Sequence, residues 1–212
     1  DHGNRRYSVH SDRGTGDGSV AVGNGVFVSL TGLVGRLAPR GLVRDLRGQR
    51  PDTRWRRTPD VLWTPHIGVD GGELYVTDER KDDDGGVLSM STDGRIRWHR
   101  RLGHTPQALA VGDERVFVAV DVSEDGSRLY ALDRGDGATR WRRDRRYVAL
   151  AGAGETLLAG GDAPDDRGRI DAYRPDGERL WSLPVPDTVR DLAPVGDRVY
   201  AVGTDGRLHV LE

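Results

Sequence analysis

Three clusters of carboxylates form the densest ligating chemistry in the chain: Asp78, Glu79, Asp82, Asp83 and Asp84; Asp121, Glu124 and Asp125; Asp162, Asp165 and Asp166. Oxygen donors in such number suit a hard cation, and Ca2+ takes roughly six to eight of them. The ordered spacing of an EF-hand loop is missing, so the same residues read equally well as solvated turns. Ca2+ in these acidic loops is the one cofactor they would admit; otherwise none is expected. His99 and His104 stand five residues apart, but in an extended segment, where that spacing does not bring two imidazoles onto one ion.

A second concentration is basic: Arg54, Arg56 and Arg57; Arg95, Arg97, Arg100 and Arg101; Arg140, Arg142, Arg143, Arg145 and Arg146. A nucleic-acid surface needs such a stripe interleaved with stacking aromatics. Here 32 basic residues meet 34 acidic ones for a net charge of −2, which points away from nucleic acid. Arginine on an outer strand instead keeps sheet edges from pairing with other molecules, and facing Asp offers ion pairs.

Catalytic arrangements are missing. With no cysteine, thiolate chemistry, disulfides and cysteine-held metals are excluded. No nucleophile elbow and no HExxH stands in the chain. Glycine pairs such as Gly152 and Gly154 precede no helix, so they cradle no phosphate. No metal or catalytic residue is assigned, and the expectation is that the chain is not an enzyme. The candidates for ligand binding are Trp63, which breaks the regular spacing of the other tryptophans, and three polar residues near the starts of inner strands, His66, Gln107 and Arg190.

These side chains are positioned by a repeat. Trp55, Trp98, Trp141 and Trp181 are separated by 43, 43 and 40 residues and end the phrases VRDLRGQRPDTRW, LSMSTDGRIRW, LYALDRGDGATRW and IDAYRPDGERLW. A second phrase recurs between them, at 19–30, 67–78, 109–121, 150–162 and 192–205: an apolar run, a Gly/Asp/Asn turn, another apolar run. That is a hairpin signature. Each unit then reads as four antiparallel strands, A to D, with TDG, GDG or PDG turning C into D. A unit near 40 residues cannot bury its own apolar face, so the units must stack. Four-stranded sheets repeated radially make a β-propeller.

The chain is therefore expected to be all-β, a single propeller domain over 1–212. There are five A–B hairpins but only four Trp-ended D strands, and the last unit stops at RLHVLE. An N-terminal stretch, NRRYSVHSD, could supply the missing strand and close a five-bladed ring. The alternative is part of a ring of seven or eight blades. Each indole is expected to wedge between neighbouring blades, and Trp63 is open to either core or binding. No apolar run is long enough for a transmembrane helix, and the N-terminus reads as incomplete or processed because the only Met is Met90.

The segment LYALDRGDGATRW resembles the propeller repeat of pyrroloquinoline-quinone enzymes and their non-catalytic relatives, through Leu129, Tyr130, Ala131, Leu132, Asp133, Gly137 and Trp141. The match is looser at Ile170, Ala172, Gly177 and Trp181, and at Leu88, Gly94 and Trp98. The resemblance implies eight blades for the enzymes, with a quinone held against a tryptophan and Ca2+, often beside a vicinal disulfide. This chain has no cysteine and no such calcium set. By resemblance it is placed with the non-catalytic members, which include envelope-assembly scaffolds, outside the cytoplasm. The function expected is a protein-interaction scaffold with a protein partner. The alternatives are a small-ligand or carbohydrate-binding propeller, or a remnant of a quinone-dependent dehydrogenase.

Overall fold

A computed structural model describes residues 19–23, 25–30, 33–38, 52–57, 66–79, 84–122, 126–153, 155–162 and 167–211. Every regular element among them is a strand. The first sheet holds β1 (Ser19–Val22), β2 (Val26–Leu30), β3 (Leu33–Ala38) and β4 (Asp52–Arg57). The second holds β5 (Ile67–Asp70), β6 (Glu73–Asp78), β7 (Gly86–Ser91) and β8 (Ile96–Arg101). The third runs β9 (Thr105–Val111), β10 (Arg115–Val122), β11 (Gly126–Asp133), β12 (Thr139–Asp144), and the fourth β13 (Ala149–Ala153), β14 (Thr156–Asp162), β15 (Gly168–Tyr173), β16 (Arg179–Val185). The fifth contains β17 (Val189–Val195), β18 (Arg198–Gly203) and β19 (Leu208–Leu211). All are antiparallel meanders in chain order.

Sequence decides which strand is inner and which outer. The middle strands are flanked on both sides and carry an apolar centre between polar ends: β6 reads ELYVTD, β10 RVFVAVDV, and both are almost wholly buried. The fourth strand is largely exposed and, in the second and third blades, rich in arginine, as in IRWHRR of β8 and TRWRRD of β12; in the fourth blade β16 instead exposes Leu180, Trp181 and Leu183. Arginine there guards an edge that would otherwise be free to pair. The inner strands pack in series, β1 on β5, β5 on β9, β9 on β13 and β13 on β17.

Four apolar clusters fill the four junctions between successive sheets. Between the third and fourth sheets, for example, Phe117, Leu129 and Ala131 meet Tyr147, Leu157 and Tyr173. No sheet has a core of its own, which is the physical reason for a repeat.

The ladder between the third and fourth strands slips by one residue at the same place in four blades: at Arg36/Leu37, Ser89/Met90, Ala131/Leu132 and Ala172/Tyr173. The unpaired extra residues are Arg54, Arg97, Arg140 and Leu180. Each bulge immediately precedes a tryptophan. A bulge bends its strand and re-aims the next side chain, and here it turns the indole toward the following blade.

The strand expected from NRRYSVHSD lies outside the described residues. The apolar side chains at both ends of the series are uncovered: Val20 and Val22 are 65% and 73% exposed, Val195 and Leu208 61% and 60%. A closed ring of five would bury such residues against each other, so the partial-propeller alternative fits these faces.

Candidate interaction surface

Three tryptophans lock their blades to the next through one shared device. The indole Nε1 of Trp55 donates to Thr92 O at 2.9 Å, that of Trp98 to Arg134 O at 2.8 Å, and that of Trp141 to Pro175 O at 2.8 Å. The ring lies on the glycine of the same turn. A Cβ built on Gly94, Gly137 or Gly177 would come within 2.9, 2.7 and 2.9 Å of the indole, and all three glycines have positive φ, at 89, 71 and 92°. Only glycine combines that backbone with that closeness. The inner side of each indole meets an aromatic of its own blade: Phe27, Tyr75 or Phe117, at centroid distances of 6.4, 6.0 and 5.9 Å.

Trp181 departs from the expected wedge. It is 42% exposed, because the turn that would cover it follows a third strand, and β19 is the last described element. A groove of about 390 Å3 lies at this place, lined by Trp181, Leu183, Val199 and Leu211 among others.

The rim that carries these turns also holds an arginine clamp. Arg134 Nε donates to Tyr75 Oη at 3.0 Å, and its Nη1 donates to Asp70 Oδ2 at 2.6 Å, Gly112 O at 3.0 Å and Asp113 O at 2.9 Å. The guanidinium also stacks over the Tyr75 ring, 5.5 Å from its centre. Burial, together with the hydrogen bond Tyr75 gives to Glu73, pushes the phenol up to about 12, against the opposing pull of Arg134.

On the opposite rim, carboxylates and cations from the loops and from the third and outer strands pair with one another. Asp84 pairs with Arg101; Asp144 with Arg128 at 3.0 Å; Asp162 with Arg146 at 2.6 Å; and the buried Asp78 lies 3.2 Å from His99. His104 lies beside Arg128, with its Nε2 3.4 Å from Nη1, and does not join His99. Among the described residues no group of three or more His, Asp or Glu converges as a metal site. Asp82, Asp83, Glu124, Asp125, Asp165 and Asp166 lie outside those residues.

Trp63 also lies outside the described residues. His66, Gln107 and Arg190 fall at three different inner-strand starts, the first two half-buried and the third exposed. His66 uses its backbone to join Thr77, and burial holds its imidazole below the ordinary pKa, in the neutral form. The three line neither of the 390 Å3 clefts of the molecule.

A buried polar cluster escaped the sequence reading. Tyr147, in the segment joining the third and fourth blades, donates to Asp171 and lies 2.7 Å from Tyr173 Oη. Arg169 Nε stands 3.1 Å from the same carboxylate. Burial and the Asp171 hydrogen bond push the Tyr147 phenol far above its usual range. These groups are sealed in the fourth blade and tie it to the linker before it.

The profile of the family described as outer membrane protein assembly factor BamB matches residues 39–212. The chain belongs to that family. A curated relative, the BamB of Alkalilimnicola ehrlichii, is 37% identical over 131 residues, which cover 56% of this chain and 30% of the relative. The crystal structure of BamB from Moraxella catarrhalis superposes with a TM-score of 0.67 at 20% identity, over 91% of this chain and 56% of that one. The computationally designed Ika4 protein superposes with a TM-score of 0.54 at 15% identity, over 68% of this chain and 88% of Ika4. At such identity these structures speak for the propeller fold alone. The chain spans only part of the length of the BamB relatives it matches.

Proposed function

We propose that this BamB-family chain is a non-catalytic scaffold that binds another protein through the loops and turns at the rims of its blades. The observation that carries the reading is the match over residues 39–212 to a family of outer membrane protein assembly factors. The architecture agrees with it: the apolar residues are spent on packing blade to blade, and what varies from blade to blade is the rim. By the same likeness we place the chain outside the cytoplasm, and among the described residues no helix is long and apolar enough to cross a membrane.

The test is affinity capture with the purified chain in its native host, followed by crosslinking to map the bound rim. Charge reversals at Asp113, Glu114 and Glu155 on one rim, and at Arg101, Arg128 and Arg146 on the other, are expected to abolish capture from one rim only. Retention of the partner by both sets of variants sinks the reading.

A further inference from the structure

Successive blades meet at the turn-bearing rim in a notch whose floor is an aromatic ring from the second strand. Two of these notches are filled by the chain itself. The Arg36 guanidinium lies over Phe27, 5.4 Å from its centre, and Arg134 lies over Tyr75 at 5.5 Å. Phe117 occupies the same position in the third blade, as its contact with Trp141 shows. Among the described residues no guanidinium covers it.

Register explains the difference. Ser89, Ala131 and Ala172 face Trp98, Trp141 and Trp181 across the third and fourth strands. The residue three positions beyond each of them is Thr92, Arg134 or Pro175. The three tryptophan hydrogen bonds confirm the equivalence, since each indole donates to one of these carbonyls. Pro175 thus stands where Arg134 stands one blade earlier, and a pyrrolidine cannot reach back over Phe117. The result is a cleft of about 390 Å3, lined by Asp113, Glu114, Arg115, Phe117, Glu155 and Pro175 among others.

The lining carries three carboxylates and one cation. That cation is already held: Arg115 Nη1 donates to Glu114 O at 2.9 Å and to Asp133 at 3.4 Å, and its Nη2 lies 3.6 Å from the Glu114 carboxylate, so Asp113 and Glu155 carry the charge offered to a ligand. Other arginines of these two blades are held elsewhere. Arg140 is on Asp133, Arg143 on Trp141 and Gly177 O, and Arg174 on Glu178. An aromatic floor with carboxylates at the lip suits a planar cation that stacks and forks at once. An ammonium does this poorly. We infer that the cleft between the third and fourth blades receives an arginine side chain from a partner protein, taking the place that Arg134 fills one junction earlier. This rests on the scaffold reading and names the chemistry that the scaffold recognises.

The probe is N-acetyl-L-arginine N-methylamide, titrated into the isotopically labelled full chain and followed by amide NMR shifts. The expected result is saturable, millimolar binding, with shifts confined to Gly112–Phe117 and Glu155–Thr156. The citrulline analogue, neutral and of the same shape, should give none. The double change Asp113→Asn, Glu155→Gln should weaken binding about tenfold, the loss expected when charged hydrogen-bond partners are neutralised. Pro175→Arg supplies an internal plug and should abolish the shifts. If that variant fails to fold, the carboxamide pair still decides. Shifts that are absent with the arginine probe, equal with citrulline, or unchanged in the carboxamide pair overturn the proposal. Capture of a partner without any arginine shifts removes the notch and leaves the scaffold standing; the two failures are thereby separable.

Discussion

Trp98 and Arg134 belong to different blades and are joined twice over: the indole donates to the Arg134 carbonyl at 2.8 Å, and the Arg134 guanidinium covers Tyr75, the ring that Trp98 packs against. Backbone and side chain of one turn residue therefore seal the same junction from two sides.

Loss of the indole should be costly where that seal is complete. Trp98 is half-buried against the second junction, and Trp98→Ala is expected to lower stability by about 3 kcal/mol, the lower end of the range for core aromatics. Trp181→Ala, in a groove open to solvent, should cost less than about 2 kcal/mol because little area is exposed anew. Paired denaturant unfolding curves check the contrast, and equal losses would mean that the indoles do not act as blade wedges.

The glycine beneath the indole gives a second contrast. Gly137→Ala must place a Cβ 2.7 Å from the Trp98 ring at a φ of 71°. Left-handed backbone costs about 1–2 kcal/mol and the collision about 1–3 kcal/mol more. Gly103 has nearly the same φ, 73°, and open space around it, so Gly103→Ala should cost only the backbone part, about 1–2 kcal/mol. Melting temperatures of the two variants measure the difference.

Removing the clamp, Arg134→Ala, strips a guanidinium from five acceptor atoms and should destabilise the chain by about 1.5–3 kcal/mol, the range for charged hydrogen bonds. Arg134→Lys should recover only part of this, since an ammonium cannot span Tyr75, Asp70 and two carbonyls at once. Full recovery by lysine would show that charge alone holds the junction.

Alkaline titration reads the buried phenols. The folded-state pKa of Tyr75 is raised to about 12 and that of Tyr147 is raised as well. Unfolded tyrosines lose their protons near pH 10, so above that pH the unfolded chain binds fewer protons than the folded one. Stability is then constant below about pH 10 and falls above it, by about 1.4 kcal/mol per pH unit for each such group. Tyr147→Phe should flatten the slope by one group, as measured by unfolding between pH 9 and about 12.

The blades were legible because tryptophan spacing and turn residues are local signals. Trp55, Trp98 and Trp141 stand where their phrases place them, and strands three and four meet at the TDG, GDG and PDG turns. What depends on pairing was hidden. The bulges at Arg54, Arg97, Arg140 and Leu180 leave no mark in composition, since only the facing strand reveals an extra residue. Asp84 and Asp162 read as cation ligands until the fold brings Arg101 and Arg146 to them. Asp171 sits in a run, RIDAY, that looks half-solvated; its burial depends on Tyr147, 24 positions earlier. The third notch could have been found by laying PDG against RGDG, but its meaning needed the clamp at Arg134 as a template.

The turn of the third blade, Arg134-Gly135-Asp136-Gly137, is one residue longer than Thr92-Asp93-Gly94 or Pro175-Asp176-Gly177. The indole hydrogen bond across each seam is nonetheless the same, at 2.8 to 2.9 Å, because the acceptor carbonyl keeps one register position, three residues beyond the one facing its own blade's tryptophan, and extra chain enters only after it. Pitch is thus metered at both shoulders of the turn, by the acceptor carbonyl and by the glycine under the indole, and the chain between them is free to lengthen. A lineage can remodel this crest by insertion without disturbing the stack beneath, and a foreign epitope spliced between Gly135 and Asp136 would be carried at the crest with the seam intact.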